Sequence, residues 1–349
     1  MSSDDAPVLR AVEGRAAYLT LNRPRALNSL THAMLRSLAE ALDTWADDPA
    51  VGTVVLQGAG ERGLCAGADI RLFHDDARSG DHRASAAFLR DEYRLNSRIA
   101  HYPKPYVAVM DGIVMGGGVG LSAHGGIRIV TERSKVAMPE VGIGLVPDVG
   151  GTYLFTHAPG HLGTHLALTG MAVGAADALL CGLADHYVPS EALPQLLREL
   201  AGAEQPREAV ARHTEQAPPG VLAEQQSWID DCYAADTVEE IVERLFATGD
   251  VAAKEAADLI LSRSPMAVKA TLESLRRAAR LDSLEQVLDQ EYRVICAALD
   301  THDLPEGIRA QIIDKDRDPR WSPATLAEVG PADVERYFAP LGERELGLG

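Results

Sequence analysis

The stretch Tyr106-Val107-Ala108-Val109-Met110, followed by Met115-Gly116-Gly117-Gly118-Val119-Gly120 and then by Ile127 to Thr131, decides the fold class. Apolar residues between Pro105 and Asp111 read as a buried strand, the glycine run as a sharp turn into a short helix, and the last segment as another strand. The same order recurs upstream. Thr53 to Gln57 reads as a short buried strand, Gly58 to Gly67 as a glycine-rich turn, and Arg83 to Ala100 as a polar helical stretch. Strands alternating with helices, joined by right-handed crossovers, imply an α/β core, although no repeat of fixed period is visible.

Working outward, Val8 to Val12 and Ala16 to Leu21 form a hairpin turning at Glu13-Gly14-Arg15. Thr31 reads as an N-cap, since Met34, Leu35, Leu38, Leu42 and Trp45 recur at helical spacing until Asp48-Pro49 stops them. The texture changes near residue 200. A Pro-, Gln- and Glu-rich interval from Glu204 to Gly220 reads as a surface connection. Beyond it the patterns are helical, best over Thr237 to Phe246, Asp250 to Leu261, Met266 to Ala279 and Ser283 to Leu299. The expected organisation is a core over residues 1–203 and a helical C-terminal region over 204–349.

Composition narrows the function. The 349 residues carry 33 basic and 51 acidic side chains, a net charge of −18, which repels nucleic acid and anionic membrane surfaces. Cys65, Cys181, Cys232 and Cys296 lie far apart without a CxxC pair, which argues against a zinc site or disulfide framework and suits a reducing cytoplasm. Met1-Ser2-Ser3-Asp4-Asp5 is acidic where a signal peptide needs positive charge, so no export is expected. The longest apolar stretch, Tyr106 to Ala123, contains Asp111 and five glycines, so a soluble chain is expected. The 11 histidines show no metal-ligand spacing, and neither a metal nor a cofactor is expected.

Two glycine-bearing turns, Cys65-Ala66-Gly67-Ala68-Asp69-Ile70 and Met115 to Gly120, can expose peptide N–H groups to an oxygen that gains charge during acyl transfer. Close backbone packing is the commoner use of such glycines, and neither turn matches a phosphate-binding Walker or Rossmann loop. Glu140 and Asp148 stand eight residues apart on an apolar, glycine-rich segment that favours buried carboxylates, although each could instead serve a helix N-terminus. Glu92 lies on a polar helix, where a charge is usually solvated, and the cysteines read as packing residues.

Leu21-Asn22-Arg23-Pro24, the Cys65 to Ile70 turn, the Met115 to Gly120 turn and Met138-Pro139-Glu140 resemble, in order and spacing, the crotonase (enoyl-CoA hydratase/isomerase) superfamily. Gly144-Leu145-Val146-Pro147-Asp148-Val149-Gly150-Gly151, Glu291-Tyr292-Arg293 and the tail from His302-Asp303 through Asp316 to Trp321 resemble its branch that hydrolyses short branched 3-hydroxyacyl-CoA thioesters. The resemblance covers nearly the whole chain. It implies a spiral of ββα turns and an acyl-CoA thioester whose carbonyl oxygen is held by the Ala68 and Gly117 amides. It makes Glu140 and Asp148 the catalytic and substrate-binding acids and Glu92 a substrate contact, and it leaves Arg71 and Lys104 as candidates for the CoA phosphates. Hydratases carry a second glutamate, and dienoyl-CoA isomerases an acid, where this chain has Gly120, which points to hydrolysis, most simply of 3-hydroxyisobutyryl-CoA in valine degradation. Val146 and Ala68 depart from the branch's usual Phe and Gly. A hydratase or isomerase, and a CoA-ester-binding protein without turnover, are the alternatives. Relatives often form homo-oligomers.

Overall fold

The computed structural model describes residues 6–349. The acidic start Met1 to Asp5, which carries the expectation of no export, lies outside the described residues. Among the described residues there are nine strands: β1 (Val8–Glu13), β2 (Ala16–Leu21), β3 (Thr53–Gly58), β4 (Gly63–Cys65), β5 (Tyr106–Met110), β6 (Ile113–Met115), β7 (Ile127–Val130), β8 (Lys135–Ala137) and β9 (His186–Tyr187). They form a six-stranded sheet ordered β1-β2-β3-β5-β7-β9 and a three-stranded sheet ordered β4-β6-β8. Only β1 pairs antiparallel; the other ladders are parallel. Successive pairs β3/β4, β5/β6 and β7/β8 each give their first strand to the larger sheet and their second to the smaller. This is the ββα repeat of the crotonase fold.

The apolar run in β5 follows from this placement, because a parallel strand covered on both faces has no solvent side on which to alternate. All five of its residues are buried. On one face Tyr18, Val55, Val107, Val109, Ile127 and Ile129 pack against Leu193, Leu196 and Leu200 of the helix Leu193–Gly202 and Ala209 and Val210 of the helix Pro206–His213. Tyr18 Oη donates to Leu197 O at 2.6 Å.

The chain condenses into two compact units. Of the described residues, the first comprises 6–69, 94–137 and 173–221 and holds both sheets; the second comprises 70–93, 138–172 and 222–349 and is helical. The helices expected past residue 220 are present as Val238–Ala247, Val251–Ser262, Pro265–Ala278 and Leu284–Leu299. Thr237, Asp250, Ser264 and Ser283 cap them by accepting from amides of the first turn, which satisfies donors that have no intrahelical partner. Two expectations need correction. The Gly58 to Gly67 turn contains β4, whose partner β6 lies about fifty residues away in sequence and leaves no local signal. The interval Glu204 to Gly220 contains the helix Pro206–His213, because proline at its first position suits a helix start. Among the described residues no helix is long and apolar enough to cross a membrane, and no group of His, Cys, Asp and Glu could hold a metal ion.

Candidate active site

In the first unit, the Cys65 to Asp69 turn lies against the Met115 to Gly118 turn. A Cβ built on Gly118 would fall 2.5 Å from Cys65 O, and one on Gly67 would fall 3.2 Å from Met115 O and 3.6 Å from Gly117 N. These glycines therefore do allow close backbone packing, and the packing brings the two expected amides into neighbouring turns. Leu30 donates to Gly67 O (2.9 Å) and accepts from Asp69 N (2.8 Å), forming a parallel bridge at Ala68. A residue held this way turns its own N–H away from the bridging strand. Gly117 opens the helix Gly117–Ser122, so its amide is among those without an intrahelical acceptor. Gly120 is buried in that helix and offers no side chain. Lys104 is not available for phosphate. Its Nζ donates to Trp45 O (2.5 Å) and Asp48 O (2.6 Å), closing the end of the helix His32–Ala46.

In the second unit, five carboxyl groups are buried: Glu92, Glu140, Asp148, Glu291 and Asp303, the last of which accepts from Ser264 Oγ at 2.5 Å and Ser322 N at 2.8 Å. Glu140 opens a 3₁₀ turn, Glu140–Ile143, after Pro139, and its carbonyl accepts from Leu145 N at 3.0 Å. Gly144, at φ 77°, ends that turn; a Cβ there would meet the backbone and Cβ of Asp303 at 2.5–2.8 Å. Asp148 precedes the helix Gly151–Thr156, and Tyr93 Oη donates to its Oδ2 at 2.7 Å. The other expected role, service at a helix start, belongs to Glu291. Its Oε2 accepts from Gly150 N at 2.7 Å, and its Oε1 accepts from Thr152 N at 2.9 Å and Thr152 Oγ1 at 2.6 Å.

Glu92 corrects the expectation of a solvated charge, being only 2% exposed. Phe88, Leu89, Tyr93, Asn96 and Ile99 recur at helical spacing around it and bury that face of the helix Arg83–Ala100. The same signal marks Glu291, which stands in the stripe Leu284, Val287, Leu288, Val294, Ile295 and Ala298. An acid inside an apolar stripe was the available cue for both. Tyr93 carried no cue, since a tyrosine in such a stripe reads as packing.

Electrostatics follow from the burial. Desolvation first, then the Asp148 charge, pushes Glu140 well above the usual carboxylate range, and the same two causes act on Glu92. Burial raises Asp148 to about 6 against the lowering effect of the Tyr93 bond, and burial raises Glu291 to about 8 against its Thr152 bond. Glu140 and Asp148 titrate as a pair. With one proton between them, the pair offers one carboxylate and one carboxylic acid. Such a pair can supply a base or nucleophile and an acid in one event.

A crotonase-fold α/β protein that carries a buried carboxylate cluster and two adjoining glycine-bearing turns is the class these features define. A model of the enoyl-CoA hydratase/isomerase family matches residues 16–338, and the chain belongs to that family. A curated relative, the mitochondrial 3-hydroxyisobutyryl-CoA hydrolase of Danio rerio, is 42% identical over 99% of this chain and 93% of its own. A crystal structure described as a carnitinyl-CoA dehydratase from Mycobacterium thermoresistibile is 55% identical with a TM-score of 0.95, covering 99% of both chains. Another, described as an enoyl-CoA hydratase from Rhodobacter sphaeroides, is 45% identical with a TM-score of 0.93, covering 98% of this chain and 99% of that one.

Proposed function

We propose that this chain is an acyl-CoA thioester hydrolase acting on 3-hydroxyisobutyryl-CoA, in the valine degradation route. The observation that carries the reading is near-full-length similarity to hydrolases of that name, with Glu140 and Asp148 both buried and Gly120 in place of a second hydratase acid.

The Ala68 and Gly117 amides are assigned the oxyanion, where each such donor is worth about 3 kcal/mol. In the attacking state the pair's proton sits on Asp148 and Glu140 is the anion. Glu140 either takes a proton from water, whose oxygen adds to the carbonyl, or adds directly and forms an anhydride that water then opens. In both routes the C–S bond breaks and Asp148 protonates the departing thiolate, giving the carboxylic acid and free CoA. Glu92 is assigned a substrate contact. Arg71, exposed at the start of the helix Arg71–Ser79, remains the candidate for the CoA phosphates.

The names of the two similar crystal structures favour a second reading, reversible hydration of an enoyl-CoA. Purified protein incubated with a panel of acyl-CoA esters decides between them. Thiol release from 3-hydroxyisobutyryl-CoA faster than loss of enoyl absorbance from crotonyl-CoA is the expected result, and the opposite order refutes hydrolysis. The cysteine pattern supports a cytoplasmic location, whereas the curated relative is mitochondrial by name.

A further inference from the structure

Asp148 is gripped at three points. Its Oδ2 accepts from Tyr93 Oη at 2.7 Å, and its carbonyl accepts from Gly151 N at 2.6 Å. The residues that follow are fastened by Glu291 through the Gly150 and Thr152 amides and the Thr152 hydroxyl. The turn between these points is strained, with Val149 at φ 52° and Gly150 at φ 79°. A β-branched residue rarely adopts that region and persists there only where its surroundings over-determine it. The two gripping helices also meet directly, since the Tyr93 and Tyr292 rings pack edge to face with centroids 6.0 Å apart.

We propose that Tyr93 is a positioning residue that reserves Asp148 Oδ1 as the oxygen carrying the catalytic proton, with Glu291 locking the backbone that presents it. Tyr93 is fully buried, and desolvation raises its hydroxyl well above the ordinary range, so it stays protonated. Its one proton is spent on Oδ2. A proton held by Asp148 therefore resides on Oδ1. Glu140 Oε2 is buried without a partner. In this arrangement Oδ1 takes the proton from Glu140 as Glu140 becomes the attacking anion, then passes it to the departing sulfur. The charged groups acting on the pair from the packed elements are Glu92 on the Tyr93 helix and Glu291 on the helix Leu284–Leu299. Both are acids. The Tyr93 hydroxyl is thus the side-chain donor that favours the Asp148 anion.

This inference rests on the hydrolase reading for its consequence in turnover, so its test includes a readout that does not need turnover. The pH profile of kcat/KM is measured for the wild type, Tyr93→Phe, Asp148→Asn and the double variant. Losing a hydrogen bond to a charged group should raise the acidic limb by about one to two pH units in Tyr93→Phe and lower kcat about ten-fold at pH 7, with KM nearly constant. On the Asp148→Asn background the same change should cost less than about two-fold. In parallel, carbon-13 NMR of carboxyl-labelled aspartate should show a titrating signal, absent from Asp148→Asn, that moves upward in Tyr93→Phe. If Tyr93→Phe does not fold, 3-fluorotyrosine incorporation strengthens the donor and should move the same signal downward. An unmoved signal and limb, or a full multiplicative loss in the double variant, overturns the role of Tyr93. Absence of thiol release by the wild type overturns the hydrolase reading, while the NMR signal still tests the Tyr93 bond.

Discussion

Gly307→Ala probes whether the C-terminal helices set the position of Glu140. Gly307 lies on the short helix Asp303–Ile308, whose backbone rests on the turn that Glu140 opens. A methyl at position 307 would stand 2.5 Å from the carbonyl carbon of Ile143 and 2.6 Å from its Cα and O. Ordinary carbon contacts lie near 3.5–4.0 Å, so helix and turn must part by roughly 1 Å, and neither wall is a flexible side chain. Forcing a methyl into such packing costs about 1–3 kcal/mol. Ile143 ends the turn that begins at Glu140, so the displacement reaches the catalytic carboxyl, where misplacement by about 1 Å costs on the order of 100-fold in turnover. Urea unfolding and thiol-release kinetics measure the two effects. Gly202→Ala is the control, because nothing lies within 4 Å of its added methyl. It should be neutral or stabilise by up to about 1 kcal/mol. Wild-type stability and turnover in Gly307→Ala would refute the argument that this contact holds the turn.

Glu140→Gln keeps the side chain's size but removes its basicity, so turnover should fall about 100-fold or more while binding of an acyl-CoA, read by calorimetry, survives. Combined with Asp148→Asn it should lose far less than the product of the single losses; multiplicative losses would count against a shared catalytic unit. Gly117→Pro removes one turn amide and should cost about 100-fold or more in kcat, and a folded variant with normal turnover would remove Gly117 from the site. His165 is buried against Tyr233 and Trp228, its Nδ1 lies 2.8 Å from Tyr233 Oη, and burial lowers it to about 4. Because the unfolded chain binds this proton near pH 6.5 and the folded chain does not, stability should fall as pH drops from 6.5 to 4, by about 3 kcal/mol from this group. Urea unfolding at pH 7 and pH 4.5 should show that dependence weakened in His165→Phe, and an unchanged difference would show that another group is responsible.

The sequence alone determined most of the local structure. Thr31, Thr237, Asp250 and Ser283 announce their helices, and β2 and β5 match their apolar stretches, because caps and periodicity act within one or two turns of chain. It also singled out Glu140 and Asp148, since acids on an apolar, glycine-rich segment invite burial. The tertiary structure decided what those acids are surrounded by. Whether Glu92 is solvated or sealed depends on what covers its helix face, and Glu291 reaches the Gly150 and Thr152 amides across about 140 residues of sequence. Strands as short as β4, β8 and β9 exist through their partners, and Lys104 is drawn to a helix end that only the fold places beside it. Desolvation and hydrogen bonding between segments distant in the chain are properties of the packed molecule. They set the proton on the Glu140–Asp148 pair, and no pattern along the chain encodes them locally.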